Sequence, residues 1–138
     1  MVHLFDRRTF QYLSFRQPSL LQAIVLVYDV MQPETFDSLS RWLEQAENYT
    51  PEHAVVIMVL GNKRDSQDIQ PSVPTARAQE FATKIGADFM EVSAKTGLNV
   101  NEAFQQIAKE VMDEVKRKTL HEALVTTPLA VRSRSQCF

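Results

Sequence analysis

Two uninterrupted apolar runs, "AIVLVYDV" (23–30) and "VVIMVL" (55–60), leave few folds open to this chain. A strand with one wet face alternates apolar and polar residues. A strand buried on both faces reads as a continuous hydrophobic run, which is the habit of parallel sheets carrying helices on either side. The β-branched content of both runs suits a pleated backbone. The second run passes straight into "GNKRDS" (61–66), a charged cluster at the carboxyl end of a strand. That is where open α/β sheets bind their ligands.

The chain between and beyond these runs repeats a strand-then-helix unit three times. After strand 23–30, Pro33 suits a first helical turn and Glu34 complements its positive end. Phe36, Leu39, Leu43 and Ala46 then recur at helical spacing and predict an inward face. The next strand is expected over Ala54–Leu60 with Gly61 ending it. A polar loop with Pro71 and Pro74 follows, Thr75 is the expected N-cap, and Ala78, Phe81, Ala82 and Ile85 form a helix face closed by Gly86. A third strand, "ADFMEV" (87–92), leads to "SAKTGLNV", where Asn99 and Glu102 resemble a capping box. Ala103, Phe104, Ile107, Val111, Met112 and Val115 mark the longest helix. Such alternation predicts right-handed crossovers and an α/β fold of three parallel strands.

At 138 residues with a net charge of −2, one ordinary domain is expected, without the electrostatic footprint of a nucleic-acid binder. One cysteine, Cys137, excludes an internal disulfide framework and fits a reducing compartment. No apolar run reaches bilayer-spanning length and the first residues lack a signal-peptide core, so a cytoplasmic chain, at most peripheral to membranes, is expected. His3, His53 and His121 are scattered without metal-ligand spacing.

Within the charged cluster, Asp65 carries the sharpest chemistry. A fixed carboxylate accepts two parallel hydrogen bonds from a planar N–H/NH2 edge, which guanine offers and adenine does not. A pocket built on that pairing rejects the wrong base, because the buried carboxylate would be left unpaired. Asn62 brings a donor and an acceptor beside it, and the alkyl stem of Lys63 is long enough to lie over a base. The same residues also suit a polar turn closing a strand. Ser93-Ala94-Lys95 follows the next parallel strand, so it falls at the same sheet end. There its N–H groups can face a base, Lys95 can cover the opposite side, and Ser93 can brace Asp65. Asp29, near the end of the first strand, is expected to orient a loop, and Trp42 to serve partner packing or a rim rather than a binding anchor.

"AIVLVYDVMQPETFDSLSRWL", "GNKRD" and "FMEVSAKTGLNVNEAFQQIAKEV" together resemble the small GTPases of the Ras superfamily, and within them the Rab branch. The resemblance runs from about Gln22 to Val115. By position, Asn62, Lys63 and Asp65 match the family's guanine-specificity motif, and Ser93, Ala94 and Lys95 its second base-contacting loop. The resemblance implies the second half of a P-loop-NTPase-like domain, GTP/GDP as ligand, effector or regulatory proteins as partners, and a role in vesicle trafficking or signalling.

The family's phosphate machinery has no match in these residues. A Walker A loop needs closely spaced glycines so that backbone N–H groups cradle phosphates. The three glycines, Gly61, Gly86 and Gly97, form no such run. The Asp-x-x-Gly motif is absent too, since Asp6 is followed by Arg7, Arg8 and Thr9. No switch threonine, catalytic glutamine or Mg2+ ligand set is recognisable. The expectation is a truncated member that binds GTP/GDP weakly and does not hydrolyse GTP; the alternative is a silent interaction module, or shortened isoform, keeping the scaffold without the switch.

Residues 1–21 are read as an atypical segment in which "TFQYLSFR" (9–16) runs antiparallel beside strand 23–30 and covers its edge. Residues 22–116 form the half domain, and 117–138 a basic flexible tail. Cys137 is penultimate, which fits neither a C-a-a-X box nor paired terminal cysteines, so stable membrane anchoring is not expected.

Overall fold

The computed structural model describes residues 2–4, 23–48, 56–65 and 68–126. Its centre is the expected parallel sheet: β2 (Ala23–Asp29), β3 (Val56–Asn62) and β4 (Asp88–Glu91). A three-residue strand, β1 (Val2–Leu4), adds a fourth member in the order β1-β2-β3-β4. It pairs parallel with β2, Val2 opposite Ala23 and Leu4 opposite Val25. The edge of β2 at those residues is therefore taken by Val2–Leu4. The hairpin expected from residues 9–16 lies outside the described residues.

The helices are α1 (Pro33–Asp37), α2 (Leu39–Glu47), α3 (Thr75–Lys84) and α4 (Val100–Thr126). They cover both sheet faces, and the period-2 alternation of the strands sorts the core between them. Ile24, Leu26, Tyr28 and Val59 pack with Phe36, Leu39, Leu43, Ala46, Ala78 and Ala82 from α1, α2 and α3. Ala23, Val25, Met58 and Leu60 pack on the other face with Val92 and with Ala103 and Ile107 of α4. Continuous apolar strands are thus the direct result of burial on both sides. Trp42 packs half-buried against the first of these cores.

Several local expectations are corrected. The single helix after Pro33 is two: Ser38 donates its hydroxyl to the Glu34 carbonyl at 2.8 Å, and the chain turns there between α1 and α2. Gly61 does not end β3. The strand continues through it to Asn62, with Gly61 paired to Tyr28 on one side and Glu91 on the other. Thr75 is the first residue of α3, not its cap; Pro74 holds the N-cap position and no side chain caps the helix. Asn99 sits in the left-handed region at φ +57° instead of the extended conformation of a capping box, and its Nδ2 donates to the Glu91 carbonyl at 2.9 Å. Gly86 does follow the end of α3, in the left-handed region at φ +68° that glycine adopts without strain.

Helix α4 runs to Thr126, through residues 117–126 assigned above to the tail. Lys116 pairs with Asp113, and Arg117 and Lys118 with Glu114, at helical spacings of three and four. Such pairs and the good helix formers around them extend the helix past the sheet. Residues 127–138 lie outside the described residues.

Where α4 crosses the start of β4, Gln106 Nε2 bonds the Asp88 carboxylate and also Glu110 Oε1 at 3.3 Å. A hydrogen bond to Asp88 first, and burial second, push the Glu110 carboxyl above its ordinary value. A proton held more tightly in the folded state contributes stability that is full below about pH 4.5, the ordinary glutamate value, and is lost as pH rises through the raised folded value. Glu110→Gln keeps a donor there without a charge. It is expected to leave the Tm unchanged near pH 4 and raise it at pH 7.5, measured by thermal unfolding. A Tm at pH 7.5 below that of the parent chain would contradict the raised Glu110 value.

Candidate base-binding site

Parallel register brings the strand ends level. Asp29 stands opposite Asn62, and Gly61 opposite Glu91, so the loops after β2, β3 and β4 open at one end of the sheet. Val30 N–H donates to the Asn62 carbonyl at 3.0 Å, and Val73 N–H to the Val30 carbonyl at 3.0 Å. The loop after β3 is thereby folded back over the end of β2.

Two side-chain hydrogen bonds join the end of β3 and the loop after it to the loop after β4. Ser93, which has no exposed surface, donates its hydroxyl to Asp65 Oδ1 at 2.5 Å. Ala94 N–H donates to Asn62 Oδ1 at 3.1 Å. Ser93 Oγ in turn accepts the Thr96 N–H at 3.1 Å, while its backbone closes the turn through Leu98 and Gly97. One oxygen of Asp65 is thus fixed by a buried hydroxyl. A carboxylate so braced has a defined direction for its remaining acceptor positions.

Lys63 sits between Asn62 and Asp65 with φ +69°, a left-handed conformation uncommon outside glycine, asparagine and aspartate. That turn sends its ammonium to Asp29 Oδ2 at 2.6 Å, leaving most of the side chain exposed. Hydrogen bonding to Asp29 and its negative charge raise the Lys63 pKa. Asp29 itself is almost buried; its other oxygen accepts the Met31 N–H at 2.9 Å, so it orients the loop after β2 as expected. Lys95 is exposed on the 93–97 turn.

All six sequence-predicted residues, Asn62, Lys63, Asp65, Ser93, Ala94 and Lys95, thus lie on two adjacent loops at one sheet end. Sequence reasoning missed Arg64, Glu91, Thr75 and Asn99, which tie those loops to the scaffold. Their contacts join residues far apart in the chain, and nothing local in "KRD" or "FMEV" announces them. Among the described residues, no group of three or more histidine, cysteine, aspartate or glutamate side chains is arranged to hold a metal ion. None of the described helices is long and apolar enough to cross a membrane.

A parallel α/β sheet with two braced polar loops at its carboxyl edge is the architecture of a nucleotide-binding domain of the P-loop type, seen here in part. The chain belongs to the Ras family: residues 8–113 match the family model. The match begins at residue 8 and so takes in most of the segment read above as atypical. The chain is 42% identical over 96 residues to the Ras-related protein RABA2a of Arabidopsis thaliana, covering 70% of this chain and 43% of that one. To the Ras-related protein Rab11D of Nicotiana tabacum it is 42% identical over 96 residues, covering 42% of that protein. The Ras-related protein Rab-31 of Mus musculus is 38% identical over 89 residues, which cover 64% of this chain and 45% of that protein. The chain is therefore related to Rab-type small GTPases, and spans less than half the length of these relatives.

Proposed function

We propose that this chain carries the base-reading half of a guanine-nucleotide pocket, with Asp65 accepting the N1–H and NH2 edge of guanine. Asn62 and the Ala94 and Lys95 backbone face the base from the neighbouring loop. The stems of Lys63 and Lys95 lie over its two faces. The observation that supports this reading best is the Ser93–Asp65 hydrogen bond, which aims a carboxylate from one loop by a buried hydroxyl from the next. The donor set suits the base of GTP or GDP.

These 138 residues on their own recognise guanine weakly and do not hydrolyse GTP, because phosphoryl transfer depends on a phosphate cradle, a metal and a positioned water. As a Rab-like protein, the chain acts in vesicle trafficking or signalling, in the cytoplasm or at the periphery of membranes, beside effector or regulatory proteins. Titration with GDP and ADP, followed by amide chemical shifts of Ala94 and Lys95, tests the pocket. GDP is expected to shift both with a Kd weaker than about 1 μM, and ADP to bind more weakly still. Equal responses to the two nucleotides would discard the pocket, and a sub-micromolar Kd would show that tight binding needs no phosphate loop.

A further inference from the structure

Arg64 stands between two proposed base-reading residues, Lys63 and Asp65, yet its side chain turns into the protein. Its Nε reaches Glu91 Oε2 at 3.1 Å, with the two side chains only 17% and 16% exposed. Its Nη1 donates to the Ile69 carbonyl at 2.6 Å, and its backbone N–H to the Val92 carbonyl at 3.0 Å. Glu91 spends its other oxygen on the Thr75 hydroxyl at 2.6 Å, in the first turn of α3. Its carbonyl accepts Asn99 Nδ2 at 2.9 Å, just ahead of α4. Three segments therefore converge on one glutamate: the loop between β3 and α3, the start of α3, and the loop between β4 and α4.

The two side-chain bonds that join these loops are Ser93–Asp65 and Ala94–Asn62. Each belongs to a residue proposed to face the base. Polar groups in direct contact with a ligand keep their geometry only when a surrounding set of contacts fixes them. The Arg64–Glu91 pair is the largely desolvated ionic contact in that supporting layer, and removing one partner of such a pair leaves a costly unpaired charge.

We infer that Glu91 and Arg64 form a positioning clamp that sets how Asp65 and Ala94 are presented to a guanine base. The clamp rests on the guanine reading proposed above for its purpose, but not for its effect on the loops. Neither residue touches the base. They act through the backbone on either side: Arg64 on Lys63 and Asp65, Glu91 through Val92 on Ser93.

The test is amide hydrogen exchange by NMR on the full chain, comparing the parent with Glu91→Gln, Arg64→Met and the double variant. In Glu91→Gln, exchange at Ala94 and Thr96 is expected to accelerate about tenfold or more, while the core β3 amides of Val59 and Leu60 keep the parent rate. The double variant is expected to be no faster than Glu91→Gln alone, because the two residues act as one unit. Unchanged rates at Ala94 and Thr96 would overturn the clamp. So would acceleration in step throughout the chain, which marks a general loss of stability. If Glu91→Gln fails to fold, Arg64→Lys carries the same test: it keeps the charge and loses the fork, and an acceleration confined to Ala94 and Thr96 is expected, with parent rates there overturning the clamp. GMP and AMP added to the parent chain separate the two readings. Absence of a GMP-selective shift at Ala94 and Lys95, with the exchange results as expected, would overturn the guanine pocket while supporting the clamp.

Discussion

Asp65→Asn is expected to remove the preference of this chain for guanine over adenine while leaving its fold intact. Asparagine keeps an oxygen that accepts the Ser93 hydroxyl, so the loop-to-loop bond survives. What changes is the edge turned to the base. A carboxylate offers acceptors to both N1–H and NH2 of guanine; the amide offers one acceptor and one donor, and that donor meets the exocyclic NH2 head on. Hydrogen bonds to a charged group contribute about 1.5–3 kcal/mol each, so replacing one by a donor set against a donor weakens guanine binding by about a hundredfold. Xanthine carries a carbonyl where guanine carries NH2, and is expected to bind the variant better than guanine does. Competition among the three monophosphates, read at the Ala94 and Lys95 amides, checks the order. A variant still favouring guanine over adenine would remove Asp65 from the pocket. Ser93→Ala supplies the complementary case, since it leaves the carboxylate charged but unbraced, and a smaller loss of the same selectivity is expected.

The fold was legible wherever burial wrote a period into the chain. Apolar runs marked β2 and β3, and three- and four-residue spacings marked the helices, because core packing selects those residues directly. Boundaries failed where the deciding contact lies elsewhere in sequence. Gly61 looks like a stop, but it is a place where the Tyr28 ring crosses the strand closely. Thr75 and Asn99 look like caps, but both side chains are engaged by Glu91, from a strand neither adjoins in sequence. A capping residue is recognised by its local pattern, and a tertiary partner overrides that pattern without leaving a trace in it.

The juxtaposition of the two candidate loops was legible for a related reason. Parallel strands place successive strand-end loops side by side, so reading "NKRD" and "SAK" after consecutive strands amounts to reading their proximity. The Ser93–Asp65 and Ala94–Asn62 bonds are the physical form of that proximity. The layer beneath was not legible, because Arg64 and Glu91 are 27 residues apart and their pairing depends on the register between β3 and β4. The Lys63–Asp29 pair is likewise a product of register, with Asp29 opposite Asn62, and of a backbone turn that lysine seldom takes.

Gly61→Ala is expected to destabilise the chain, although glycine in a strand is ordinarily the weaker choice. Replacing a strand glycine with alanine gains about 0.5–1 kcal/mol where there is room, by reducing the freedom of the unfolded chain. Here there is none: an added Cβ would stand 2.7 Å from the Tyr28 hydroxyl oxygen, 3.0 Å from its ring Cζ and 3.0 Å from Val30 Cγ1. The ring cannot swing away freely, because it packs edge-on against Phe36, which packs edge-on against Phe81. Overpacking a filled core costs about 1–3 kcal/mol, so the clash outweighs the entropic gain and a net loss of about 1–2 kcal/mol is expected. The Tyr28 hydroxyl is buried without a hydrogen-bond partner among the described residues, and burial together with the Glu91 charge pushes its pKa far up, so it stays neutral. Tyr28→Phe removes that hydroxyl and is expected to be neutral or mildly stabilising alone. In the double variant it also removes the shortest clash, so Gly61→Ala/Tyr28→Phe is expected to recover part of the loss and not all of it, because the ring and Val30 remain. Urea unfolding of the four chains measures this directly. A double variant no more stable than Gly61→Ala would mean that the hydroxyl is not what the alanine meets.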